Sequence, residues 1–133
     1  MVSNTSFSED TVARLCVEYW KLLRAANKAV RALSDTGEAS ARRLEGQIRF
    51  SERQLQVIAN DLGLKLIEFE GEPFRDGIAA SSDNASDFDE NDRLVVSRTI
   101  EPAVVKDMRV LSYGRVLVAL APQDKGKDDA PRD

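Results

Sequence analysis

The residues that could do chemistry in this chain are few and mostly acidic. Glu68 with Glu70, or Glu72 with Asp76, would give the paired carboxylates that general acid–base catalysis uses. A lone pair among 23 acidic residues carries almost no specificity, and neither a nucleophile motif nor a phosphate-cradling loop accompanies it. The sequence holds no histidine, which removes the Ser-His-Asp triad, the Cys-His dyad and histidine-based metal sites together. Asp87, Asp89 and Asn91 alternate like the first ligands of a calcium loop, but its turn glycine and closing bidentate glutamate are missing. The single cysteine, Cys16, cannot form an internal disulfide, which fits a reducing cytoplasm. Arg42, Arg43, Arg49 and Arg53 form a basic run, interspersed with Glu38, Glu45 and Glu52 as on a solvated helix flank. With a net charge of −4 and a pI near 5.0, there is no global basic field to hold nucleic acid or an anionic membrane. These residues point to a binding protein rather than an enzyme, with no metal and no cofactor.

The elements that must position a binding surface follow from length and period. The 133 residues suit one domain, or a small head with a helical appendage. No apolar run is long enough to span a bilayer, and residues 1–10 lack a signal-peptide pattern. Val12, Cys16, Tyr19, Leu23, Ala26, Val30 and Leu33 alternate spacings of four and three, and so do Leu44, Ile48, Ser51, Leu55, Ile58 and Leu62. Such a stripe keeps one seam facing a partner helix. A hairpin packing on itself and a seam between two chains both satisfy it; the length and narrowness favour a homodimer. Ser8 or Asp10 could cap the first helix, Asp35 and Glu38 form a capping-box pattern for the second, and Gly63 is placed to end it with Leu64 over the last turn. Trp20, beside the first stripe, is either a partly buried neighbour of the seam or an interface anchor.

After Gly63 the period changes. Residues 64–70, 94–100 and 109–120 are short, partly alternating and rich in β-branched residues. Charge shifts too: residues 11–66 carry ten Lys/Arg against six Asp/Glu, whereas 67–95 carry two against nine. The acidic stretch Ala80–Asp92 and the tail Pro122–Asp133 offer little to bury and read as solvated segments dispensable for folding. The expected fold class is therefore α+β: a flexible 1–10, coiled-coil-like helices over 11–62, a small all-β head over 63–120 and a disordered 121–133.

The head carries a resemblance. Gly63-Leu64 at a helix end, Gly71-Glu72-Pro73-Phe74, an acidic loop, and the closing run Arg109-Val110-Leu111, Gly114, Val116, Val118-Ala119 resemble the GrpE family, nucleotide-exchange factors of DnaK-type chaperones. The match spans about residues 44–119 in order and spacing. It departs where the family has a histidine-bearing segment after the phenylalanine, here Arg75–Ser81, and where the family's closing hairpin has Ala or Ser at Gly114. The first helix is also interrupted after Leu33, where family members continue. The resemblance implies a cytoplasmic homodimeric co-chaperone paired through its helices, here Val12, Cys16, Tyr19, Leu23, Val30, Leu33, Leu44, Ile48, Leu55 and Ile58. One head would wedge open the ATPase cleft of a DnaK-type chaperone, or of a divergent relative, and release ADP. Carried onto this chain, Phe74, Asp76, Thr99, Ile100 and Val118 fall at or near the contacts, with Arg109 and Arg115 supplying charge at the rim. The alternative is a coiled-coil adaptor of the same shape that binds another partner.

Overall fold

The computed structural model describes residues 8–35, 37 and 39–122. Helix α1 (Glu9–Ser34) starts where Ser8 Oγ accepts from Thr11 N at 3.1 Å, with Glu9 and Asp10 complementing the positive end of the helix dipole. Ser8–Asp10 thus belong to a capped helix start and not to a flexible leader. Helix α2 (Ala39–Asp61) ends as expected: Gly63 takes φ +77°, and Leu64 N reaches back to Ala59 O at 2.8 Å. Leu64 is buried over that last turn. Glu38 of the expected capping box lies outside the described residues.

Helices come first and a β head follows, an α+β layout. Six strands make the head: β1 (Lys65–Ile67), β2 (Ala80–Ser82), β3 (Leu94–Glu101), β4 (Ala103–Lys106), β5 (Arg109–Ser112) and β6 (Gly114–Leu120). They form two three-stranded sheets, β1-β4-β5, antiparallel throughout, and β2-β6-β3, in which β2 runs parallel to β6. The chain passes from one sheet to the other at the buried Pro102, where a missing N–H breaks no ladder bond.

Period-two alternation gives the central sheet two apolar faces. Leu66 and Val104 turn toward the helices, Ile67 and Ala103 toward the second sheet. The layers are therefore helix hairpin, sheet and sheet. The first core holds Ala13, Cys16, Val17, Trp20 and Leu23 of α1 with Leu55 and Ala59 of α2 and Val104. Ala13 (0% exposed) and Ala59 (1%) have no bulk to hold helix and sheet apart. The second core gathers Phe69, Val96, Ala103, Val116 and Val118.

Two expectations are corrected here. Cys16, Leu23, Val30 and Leu55, read as a seam between chains, are buried within this one chain, because α1 and α2 fold on each other and on the first sheet, α1 against β5 and β4 and α2 against β1. Val12, Tyr19 and Ile48 pack half-buried against the same core, while Leu33, Leu44 and Ile58 stay about half exposed. The acidic stretch is likewise part of the head. Ala80–Ser82 pairs with Gly114–Val116, and Ala85 and Phe88 pack on the second core. Asn84 bonds Val118 through both amide atoms, Nδ2 to O at 3.0 Å and Oδ1 from N at 2.9 Å, standing in for a strand backbone. Deleting this stretch would remove a strand and an apolar plug, so it is not dispensable.

Candidate functional site

A shallow cleft of about 620 Å³ opens on the head, bounded by the residues that follow Gly71 and by the acidic stretch. Gly71, at φ +85°, turns the chain so that residues 71–74 run along the outer edge of β3: Gly71 N donates to Val96 O, Val96 N to Glu72 O and Phe74 N to Leu94 O, each at 2.9 Å. A second turn at Gly77 (φ +92°) brings Ile78 back under Phe74. Phe74, Ile78, Phe88 and Leu94, all half-buried, give the cleft an apolar floor. Arg75 and Asp76 stand on one rim, Asp89, Glu90 and Asp92 on the other. Such a floor with a mainly acidic rim suits a protein partner that presents an apolar side chain flanked by basic ones.

The residues anticipated as contacts divide sharply. Phe74 and Asp76 both line this cleft, and Ile100 is half-buried near α1, in a different groove. Thr99 and Val118 do not face a partner: they are 1% and 3% exposed. Thr99 Oγ1 donates to Glu70 at 2.7 Å and accepts from Phe69 N at 2.9 Å, and Val118 belongs to the second core. Nor are the two arginines free rim charges. Arg115 is tied to Asp83 at 2.6 Å and to Glu101 at 3.3 Å, and Arg109 to Glu9 at 2.9 Å. Their work is to fasten the head, β2 to β3 in one case and the β4–β5 hairpin to the start of α1 in the other.

Of the two carboxylate pairs weighed for catalysis, Glu68 and Glu70 are held by bonds to the fold. Glu68 accepts from Trp20 Nε1 at 2.9 Å and pairs with Arg24 at 3.1 Å. Burial works to raise the Glu70 carboxyl, yet hydrogen bonds from Thr99 N and Oγ1 and the Arg24 charge hold it below the ordinary range. Its stabilising contribution is present above the unfolded value and is lost as pH falls through the depressed one. Burial pushes the Cys16 thiol up, away from a reactive thiolate. Among the described residues, no three His, Cys, Asp or Glu side chains cluster to hold a metal ion, and no helix is long and apolar enough to cross a membrane.

No family model, curated protein or solved structure matches this chain. The site rests on its own geometry. Sequence reasoning missed Ile78, Phe88 and Leu94; the isolated Phe88 inside an acidic run was the one signal that the run is anchored.

Proposed function

We propose that this chain is a GrpE-like nucleotide-exchange factor: a non-catalytic cytoplasmic co-chaperone whose head docks on the ATPase domain of a DnaK-type chaperone, or a divergent relative, and speeds ADP release. The observation that carries the reading is the Phe74–Asp76 turn, which begins at the end of the family-like Gly71–Phe74 run, at the mouth of an apolar cleft on a head mounted on helices. The mounting matters because a wedge must transmit force. Trp20–Glu68, Lys21–Glu101 and the Glu9 contacts to Lys106 and Arg109 fasten the helices to the head at separate points. A factor that binds the open state of a nucleotide cleft lowers nucleotide affinity by the same factor, so no covalent step is needed.

Stopped-flow release of a fluorescent ADP analogue from the partner ATPase tests this. Wild-type protein should accelerate release, and Phe74→Ala should weaken docking by about 2 kcal/mol as a central apolar anchor. Asp76→Ala, on the rim, should chiefly slow association. Acceleration unchanged by Phe74→Ala would move the site elsewhere. Tight binding without acceleration would favour the adaptor, a reading that draws on Thr99 and Val118 lying inside the head rather than on its surface.

The same reading includes a homodimer, through the exposed members of the two stripes and the leucines beside them. Leu15, Leu22 and Leu33 recur on one flank of α1, and Leu44 and Ile58 on α2 with Leu62 just past its end, all between 45% and 69% exposed. Covering such large aliphatic groups gains about 1.5–3 kcal/mol apiece at full burial. Sedimentation at micromolar concentration should report a dimer for wild type and a folded monomer for the double variant Leu22→Glu, Ile58→Glu. A monomeric wild type would discard the dimer.

A further inference from the structure

A second groove, between α1 and the edge strand β3, has a chemistry the head cleft lacks. About 640 Å³ in volume, it is lined by Lys21, Arg24, Lys28 and Arg31 from one face of α1 and by Arg98 from β3. No carboxylate lines it, and Ala25 and Ile100 supply an apolar floor. Three of these cations are already partnered: Lys21 with Glu101 at 2.9 Å, Arg24 with Glu68 at 3.1 Å and Arg31 with Glu45 at 3.7 Å. Lys28 and Arg98, on opposite walls, have no ion pair among the described residues.

We propose that this groove binds an extended acidic peptide segment of a partner protein, its carboxylates paired with Lys28 and Arg98 and its apolar side chains resting on Ala25 and Ile100. The groove's five cations over an apolar floor complement an acidic peptide with interspersed apolar side chains better than a bare anion. The basic character is also local. Glu18, Glu68, Glu70 and Glu101, paired with Lys21 and Arg24, stand at the groove's border and the chain carries a net charge of −4, so a long polyanion would run from the groove into repulsion, whereas a short acidic segment ends inside it. The groove lies apart from the Phe74 cleft, and its occupancy is independent of any effect on nucleotide release.

Trp20, the only tryptophan, lines the groove and reports on it directly. The full chain is titrated with a blocked peptide of Glu pairs separated by single Leu residues, following Trp20 fluorescence at low and at physiological salt. Saturable micromolar binding that weakens with salt is expected. Lys28→Glu with Arg98→Glu should weaken it by about tenfold or more, since both walls then repel the ligand. Neither side chain is ion-paired, so the melting curve of that variant should match wild type; the neutral pair Lys28→Ser, Arg98→Ser should lose less affinity and serves if the reversal misfolds. No binding by wild type, or binding unchanged in both variants, overturns the proposal. So does an oligo-dT of equal charge binding more tightly than the peptide, which would make the groove a nucleic-acid site.

Discussion

Trp20→Ala should lower the unfolding free energy by about 3–5 kcal/mol, the range for deleting a large aromatic from a packed core. Trp20 is 6% exposed and packs in the first core, while Arg24 lies 4.2 Å over its ring. Two contributions can be separated. Nε1 donates to Glu68, whose side chain is 45% exposed, so water can replace the lost donor and that bond contributes only about 1 kcal/mol. The larger part is the cavity, because Ala13 and Ala59 in the same core are too small to collapse into it. Trp20→Phe should accordingly recover most of the loss. Urea unfolding followed by circular dichroism measures both variants. A loss of about 1 kcal/mol or less for Trp20→Ala would mean that the ring is not what joins the helices to the head.

The place of Trp20 explains what could be read from the sequence. The stripe of fours and threes located both helices, since helical period survives any choice of partner. It did not say what the stripe faces. Residues beside it, Ala13, Val17 and Trp20, share a core with the first sheet, and a small residue such as Ala13 carries no hydrophobic signal strong enough to announce a sheet. Gly63 and Leu64 were legible because a helix stop is local chemistry. Ala80–Ser82 was not, having no β-branched residue: it is held by parallel pairing to β6 and by the bonds of the nearby Asn84 side chain to Val118, both to partners far away in sequence. In the site, Phe74 and Asp76 share one turn, so adjacency sufficed. Thr99 and Val118 failed as contacts because inward and outward positions of a short bulged strand are set by register, which neighbouring strands decide.

Gly114→Ala is the sharper test, because two effects predict opposite signs. Gly114 lies outside the left-handed region, so on backbone grounds alanine would restrict the unfolded chain and stabilise by about 0.4–1 kcal/mol. The space forbids it. A Cβ there would stand 2.8 Å from Glu101 O, 2.8 Å from Phe69 Cε2 and 3.1 Å from Ala103 N. Two of those atoms are main chain flanking Pro102, the corner joining the sheets, and the Phe69 ring is locked in the second core. Relief requires shifting the corner, and overpacking of this kind costs about 1–3 kcal/mol. We expect a net loss of stability, read as a lower urea midpoint with an unchanged slope. Adding Phe69→Leu should relieve the ring contact but not the two backbone contacts, so the double variant should recover nothing beyond that share and would also lose the buried ring. The position bears on the proposed function as well, since GrpE-like hairpins carry Ala or Ser there. A stabilised Gly114→Ala would show that the corner has room for the family's side chain. A destabilised one would show that this head has closed more tightly around Phe69, bringing β6 against the β3–β4 corner that carries Ile100 and Glu101.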